Sequence, residues 1–359
     1  AEVEMTDVEI EIIGRTHQKL GFGNHRGNRF TIVARGCAHP DGSPMSDEEA
    51  IENIRLIENK MKESIGENRF PNWIGPQRFG AGRPVTPVVG RHVIAEDWEG
   101  AVMAYLSMEG KEKEDVFSFR KRIRDNGISE ELLDDIPKWL GYERELIKHI
   151  LENPGDWSGA FRRLPNNLQL MTVHSLQSVV FNKTIKERLD SGMSLSKPNV
   201  GDLVGRVDDV NQLDTVSMVE VEERTLNRIG RNCDMGRLAI TGPLPGSEMN
   251  QASGETAILE QKVLAEMDLS ETSWIVEKIP RLTTKGTRRA LVTKFSEFQY
   301  ESVPIAGEET MGEKWLEGVN PGEIWHPEGA CIRFRFTLPS GSYATTLLRE
   351  FMRCPLGQL

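Results

Sequence analysis

An α+β chain is what the sequence predicts, and three observations carry that expectation. Apolar and polar residues alternate in DVEIEII over residues 7–13 and in CIRFRFTL over 331–338, the two-residue period of half-buried strands. Apolar residues recur at helical spacing over 46–65, and residues 164–190 read as a second strong helix. The glycines Gly21, Gly23 and Gly27 resemble a dinucleotide fingerprint, but their spacing is off by one residue. A strand-like run, Arg29-Phe30-Thr31-Ile32-Val33, follows them where a helix is required. Context therefore excludes a phosphate loop.

The chain has 359 residues, enough for two domains and a large core. Its 38% hydrophobic and 28% charged residues fit a soluble globular protein, and no apolar run approaches the ~18–20 residues of a membrane span. The opening AEVEMTDVEIE is neither a signal nor a transit sequence, and position 1 is not Met, so native residues are expected to precede Ala1. Cys37, Cys233, Cys331 and Cys354 are too scattered for any CxxC pair; free thiols in a reducing, cytoplasmic compartment are expected. Cys37 and His39 are the one close Cys/His pair, and two residues do not make a zinc site, so no metal is expected.

The formal charge of −11 argues against a nucleic-acid partner until its distribution is read. Four islands hold no Asp or Glu: 15–36 with five basic residues, 68–95 with four, 278–294 with six and 331–349 with three. They gather 18 of the 44 basic residues, leaving 26 among all 55 acidic ones. If folding joins them, an acidic body acquires a positive cleft that attracts a polyanion.

In chain order, Arg15, Lys19, Arg26 and Arg29 lie on a basic loop entering a strand and are available for phosphates. Ser46-Asp47-Glu48-Glu49 is a capping box, and Ile51, Ile54, Ile57, Met61 and Ile65 mark the core face of the helix it opens, with Gly66 closing it. Residues 96–153 read as charged, solvated helices with no chemistry assigned. In 164–190, His174, Gln177, Ser178, Phe181 and Asn182 share a face, a polar stripe for an interdomain interface or a cleft wall. A short strand is expected from Arg237 to Gly242, a helix from Gly254 to Met267, and strands over 290–303. In 331–338, Ile332, Phe334, Phe336 and Leu338 face one side and Arg333, Arg335 and Thr337 the other. A helix follows from Tyr343 to Met352, with Arg349 near its end. No internal repeat is expected.

The chain is organised around residues 68–95, which contain Arg69, Arg78, Arg83 and Arg91 and no acid. Its centre, PNWIGPQRFG over 71–80, is kept from being a helix by Pro71 and Pro76. Trp73 or Phe79 can stack on a flat ring, Asn72 and Gln77 can read its amide edge, and Arg78 can hold a phosphate. A turn-rich surface loop with its aromatics packed inward is the alternative.

With these segments in view, the chain resembles the TruD family of tRNA pseudouridine synthases. The resemblance is carried, in order, by GRTHQKLGFGNHRGNRFTIV, PNWIGPQRFG, LPNNLQLMTVHSLQSVVFN, ITGPLPG, GTRRALV and FTLPSGSYATTLLRE. It implies an α+β pseudouridine-synthase domain on a mixed, largely antiparallel sheet, with an inserted TRUD domain. The catalytic domain would take 1–160 and 301–359, the insert 161–300. The implied substrate is a uridine of tRNA, position 13 in the usual family activity, with tRNA as partner and no cofactor; a monomer is expected. A TruD-like tRNA-binding or folding protein without catalysis is the alternative.

Two departures stand out. Ile74 occupies a place where the family usually has Phe, so Trp73 takes the stacking role or Ile74 packs against the base edge. The family's nucleophilic Asp belongs to a Gly-x-Lys-Asp motif that occurs nowhere in these residues; it is expected upstream of Ala1. Arg78, Arg288, Arg289 and Arg349 are the candidates for phosphate contact or for pairing that carboxylate, since an adjacent Arg keeps an Asp ionised.

Overall fold

The computed structural model describes residues 14, 15, 17, 25–305, 319 and 323–353. The expected strand at 7–13 lies outside them. A three-stranded antiparallel sheet has the order β1 (Gly27–Ala34), β9 (Cys331–Pro339), β8 (Ser296–Val303). The alternation in β9 works as predicted: Ile332, Phe334, Phe336 and Leu338 are buried against helices α1 (Asp47–Ile65) and α11 (Ala344–Met352). The capping box of α1 forms, with the Ser46 side chain accepting from the Glu49 amide and Glu49 returning to the Ser46 backbone.

The other face of this sheet is not the bare basic surface its sequence suggests. Arg333 and Arg335 lie against Glu301, at 2.7 and 3.8 Å, and Arg29 against Glu297 at 3.1 Å. Cross-strand pairing of opposite charges neutralises the face.

A short pair, β2 (Arg69–Pro71) with β7 (Val292–Lys294), joins this sheet to a second one of order β4 (Val219–Glu220), β3 (Leu203–Arg206), β5 (Leu238–Leu244), β6 (Thr287–Ala290). Every strand pairing among the described residues is antiparallel. The long helix α8 (Asn166–Asp190) packs between β5 and α2 (Thr86–Ile94). Gly90 lets α2 approach, because a Cβ there would lie 2.1 Å from the Thr172 carbonyl oxygen. One apolar core runs without a break from Val85 through α8 to Leu282, across the expected boundary at 160, and the expected boundary at 300 falls inside β8.

The helical layer contains an internal repeat that the sequence reading did not expect. Two segments, His92…Asp97-Trp98-Glu99-Gly100-Ala101 and His149…Asp156-Trp157-Ser158-Gly159-Ala160, fold alike. Each Asp caps a helix, α3 (Trp98–Ser107) or α7 (Trp157–Phe161), by accepting the glycine amide at 2.9 Å. Each His ring nitrogen lies against the other carboxylate oxygen, at 2.8 and 3.0 Å. A Cβ on either glycine would fall within 2.1 Å of the carboxylate, so the glycine belongs to the motif. Trp98 then packs on Phe161, joining the two units with ring centroids 5.6 Å apart. The His–Asp spacing is five residues in one unit and seven in the other, which hides the repeat from a fixed-period scan.

This motif predicts an acid-sensitive layer. The Gly100 amide, then the His92 ring, hold the Asp97 carboxyl below its usual range. A depressed carboxylate stabilises the fold above the ordinary Asp value and loses that contribution as pH falls through the folded value. Asp97→Ala should cost about 1 kcal/mol, the usual value of a helix cap. Asp97→Asn should keep the cap and lose part of the acid sensitivity. Thermal melts of both variants from pH 3 to 7 check this; identical slopes for Asp97→Asn and wild type would refute it.

Candidate active site

The three arginines flanking the 71–80 loop are held by the protein. Arg69 donates to the last carbonyls of α9 (Leu226–Asp234), Cys233 at 3.0 Å and Asp234 at 2.7 Å. Arg83 donates to the carbonyls of Tyr105 and Met108 and lies 3.6 Å from Glu112. Arg91 lies 3.7 Å from Asp268. Of the four arginines in this stretch, Arg78 alone has a side chain with no hydrogen-bond or ion-pair partner among the described residues, and its Nε is buried without an acceptor.

The loop itself is clamped from both sides. Asn182 of α8 receives the Ile74 amide and donates to the Ile74 carbonyl, both at 2.9 Å, so one side chain fixes the mid-loop backbone. The Ile74 side chain is buried with Phe181, Ile185 and Leu291; it is core, not a wall for a base edge. Pro76-Gln77-Arg78 forms one 3-10 turn. Gly75 permits it, because a Cβ there would meet the Gln77 Oε1 at 2.6 Å and the Tyr343 ring at 2.8 Å.

Asn72 is only 6% exposed, and its amide is fully engaged within the protein. Nδ2 donates to the Ala290 carbonyl at 2.9 Å, and Oδ1 accepts from Arg289 Nη2 at 2.5 Å. The expected reader of a uracil edge is therefore a holder of Arg289. Gln77 remains exposed, its Oε1 accepting from the Thr345 hydroxyl at 3.2 Å. Trp73 and Phe79 are half-buried against the same core as Ile74. The Trp73 indole also donates to Glu350, whose carboxyl burial pushes upward while the charges of Arg353 and Arg349 and the indole bond pull it back.

Arg288 and Arg289 are neighbours with opposite fates. Arg288 is 3% exposed and pairs both oxygens of Glu260 in α10 (Gly254–Glu266), with further bonds to Thr241 and the Asn250 carbonyl. Its guanidinium is taken up within the fold as a structural ion pair. Arg289 turns the other way. Its Nη2 bridges Asn72 Oδ1 and the Gly341 carbonyl at 2.9 Å, its Cζ sits 5.5 Å from the Phe181 ring centroid, and Nη1 is uncommitted. Burial, with the charge of Arg78 adding to it, pushes its guanidinium down to about 10, against the pull of Tyr343; it stays protonated at neutral pH.

His174 of α8 is exposed; partial desolvation of its ring, then the charge of Arg78, push the imidazole below its usual range. Its stripe-mates hold structure: Gln177 donates to the Pro245 carbonyl at 2.7 Å, and the Ser178 hydroxyl donates to the His174 carbonyl.

Folding thus brings the basic islands together, though not all their arginines. The β2–β7 pair joins 68–95 to 278–294, and Arg289 reaches Gly341 in the fourth island, 331–349. The register Gly27↔Pro339 sets the middle of the first island beside the same turn. Arg15 and Arg26 are exposed, Arg29 is paired with Glu297, and Lys19 lies outside the described residues. Arg349 is half-buried, its charge acting on Glu350. His174, Tyr343 and Glu350 were not among the residues expected to act. The turn PSGSY preceding a helix marked the place of Tyr343, but nothing local marked its neighbours.

What remains is a group of two guanidiniums, an imidazole and a phenol around the 71–80 loop, with no carboxylate within ion-pair distance of Arg78 or Arg289 among the described residues. Two guanidiniums without a carboxylate partner are chemically suited to an anion, with a flat ring beside it. The chain matches the family model described as tRNA pseudouridine synthase D (TruD) over residues 1–351. It is 33% identical over 353 residues to a probable tRNA pseudouridine synthase D of Methanosarcina mazei, covering 98% of this chain and 74% of the relative. Similar proteins occur in Methanopyrus kandleri, 29% identical over 98% of this chain and 71% of that one, and Halobacterium salinarum, 30% identical over 98% and 73%. A crystal structure assigned to the TruD of Methanosarcina mazei superposes with a TM-score of 0.81 at 31% identity, over 99% of this chain and 76% of that one. Sequence, fold and family match agree that this chain belongs to the tRNA pseudouridine synthase D family.

Proposed function

We propose that this protein isomerises a uridine of tRNA, at position 13, at the site formed by Trp73, Gln77, Arg78, Phe79, Arg289 and Tyr343. The supporting observation is Arg289, fixed by Asn72 Oδ1 and the Gly341 carbonyl with Nη1 uncommitted, together with Arg78, whose Nε is buried without an acceptor; neither has a described carboxylate against it. Mutual repulsion makes such a pair costly unless an anion joins it.

Pseudouridine formation breaks the ribose C1′–uracil N1 bond, turns the base and joins C1′ to C5. A carboxylate acting as nucleophile takes C1′ as N1 leaves; C5 then attacks C1′, the carboxylate departs, and the C5 proton is lost while N1 gains one. Dividing the reaction in this way lowers its barrier. Arg289, with Asn72 and Gly341 fixing its plane, leaves Nη1 to receive that carboxylate and keep it ionised. Arg78 is suited to the phosphate of the flipped nucleotide. Trp73 or Phe79 offers the stacking face, worth ~1–3 kcal/mol, which offsets the few kcal/mol of unstacking. Gln77 is the exposed amide that can read the uracil edge. Asn72, Asn182 and Ile74 hold the frame. We assign β8 to the catalytic domain, so the insert ends before Ser296.

Tritium release from tRNA labelled at uridine C5, by the native gene product, tests this reading. Release that follows pseudouridine at position 13 is expected; a folded protein that binds tRNA without release would leave only the non-catalytic alternative. Arg78→Ala should weaken tRNA binding and reduce the slope of log K against log salt by about 1. An unchanged slope would remove Arg78 from phosphate contact.

A further inference from the structure

We propose that Thr293 is a positioning residue for Arg289, acting through the turn at 339–343. The inference rests on the pseudouridine-forming reading above. Thr293 lies on β7, the strand after the one that carries Arg289, and is 4% exposed. Its hydroxyl is the middle of a chain of three polar side chains. Asn211 Nδ2 donates to Thr293 Oγ1 at 3.1 Å, and Thr293 Oγ1 lies 3.3 Å from Ser342 Oγ. A hydroxyl both accepts and donates. With Asn211 supplying the proton on one side, the Thr293 proton is left for Ser342 on the other. The three side chains come from the hairpin at 207–214, from β7 and from the turn before α11, so only the fold brings them together.

The outer end of the chain is anchored. Asp208 Oδ1 accepts the Val210 and Gln212 amides at 3.0 and 2.7 Å, and the Asp208 carbonyl accepts the Asn211 amide at 3.0 Å. Asn211 has a φ of 61°, a left-handed conformation that Asn tolerates better than most side chains. The hairpin tip thus offers the Asn211 amide from a set backbone. The inner end is what needs holding. Gly341 has a φ of 81°, and the turn's own closing bond, from the Ser342 amide to the Pro339 carbonyl, is long at 3.3 Å. Yet the Gly341 carbonyl accepts from Arg289 Nη2 at 2.9 Å, and a Cβ on Gly341 would stand 3.9 Å from Nη1, the nitrogen left for the carboxylate. Thr293 braces Ser342, and Ser342 is bonded to the residue that orients Arg289. A shift of the turn therefore moves the acceptor and the guanidinium together. Misplacing a reacting group by ~1 Å can cost ~10²-fold in rate.

The test uses the native gene product and single-turnover rates at saturating tRNA. Thr293→Val keeps the branched shape and removes the hydroxyl; it should lower the rate about 10-fold with Kd for tRNA unchanged. Thr293→Ser should return most of that rate. Ser342→Ala, at a half-buried position, should fall as far as Thr293→Val, and the double variant no further, because both cut one bond. Asn211→Gly keeps the left-handed backbone and should lower the rate less, since it removes only the outer bond. In an Arg289→Ala background Thr293→Val should have no further effect. Melting curves confirm that each variant folds. An equal fall in that background would overturn the positioning role and leave Thr293 a general support of the fold. Unchanged rates in both Thr293→Val and Ser342→Ala, with an active wild type, would overturn this inference alone. A wild type that releases no tritium from the labelled tRNA would overturn the functional reading and this inference with it.

Discussion

Arg289→Ala is expected to lower kcat for pseudouridine formation by about 10²–10³-fold, the usual loss when one preorganised charge donor leaves a reacting centre. That is about 2.7–4 kcal/mol of transition-state stabilisation. The side chain is fixed by Asn72 Oδ1, the Gly341 carbonyl and the Phe181 ring, so its free edge is already oriented before any carboxylate arrives. Arg289→Lys should recover little. A single ammonium cannot bridge Asn72 and Gly341 in a plane and still present a second donor. Single-turnover kinetics on saturating tRNA separate this loss from binding. If Arg289→Ala keeps kcat within roughly threefold of wild type, the carboxylate is not paired there, since the loss predicted for such a donor is far larger. Asn72→Ala should follow Arg289→Ala in direction, because it frees the guanidinium and leaves the Ala290 carbonyl unpaired.

Asp202→Ala is expected to destabilise the fold by about 3–5 kcal/mol, the cost of stranding a buried charge. Asp202 is 0% exposed and receives both ends of Arg188, at 2.7 Å each, along with the Thr256 hydroxyl and the Asn199 amide, also at 2.7 Å. Arg188 sits on α8, Asp202 immediately before β3 and Thr256 on α10, so one carboxylate ties three elements of the second sheet's layer. A domain holds only about 5–15 kcal/mol in total, and this single change removes a large part of it. The double variant Arg188→Met with Asp202→Leu should recover much of the loss, because neither charge is then left unpaired. Urea unfolding of both variants measures the difference. A midpoint for Asp202→Ala equal to that of wild type would show the network to be dispensable.

Much of the architecture was legible in residue order. The capping box at Ser46, the alternation of 331–338 and the long helix over 164–190 each express a local rule, and each forms. The ordered blocks from GRTHQKLGFGNHRGNRFTIV to FTLPSGSYATTLLRE identified the family before any coordinates. The loop 71–80 was rightly placed beside basic segments from elsewhere in the chain. The repeat of His, Asp, Trp and Gly escaped notice because its spacing varies between copies; its geometry is constant where its period is not.

The residues that form the site were harder to assign, and the arginines show why. In a sequence every guanidinium is an equal candidate for an anion. Arg69 caps a helix, Arg83 joins a buried network, Arg288 pairs with Glu260, and Arg78 and Arg289 stay available. Strand geometry sends consecutive side chains to opposite faces, so Arg288 meets a buried acid and Arg289 meets Asn72 of the 71–80 loop. Asn72 was misjudged for the same reason: an amide reads a ligand only if no backbone group has already claimed it. Residue order thus settles family, periodicity and the inventory of charges. Which charge is spent on the fold and which is left for RNA depends on partners distant in sequence, and desolvation makes that choice only once the chain has closed around them.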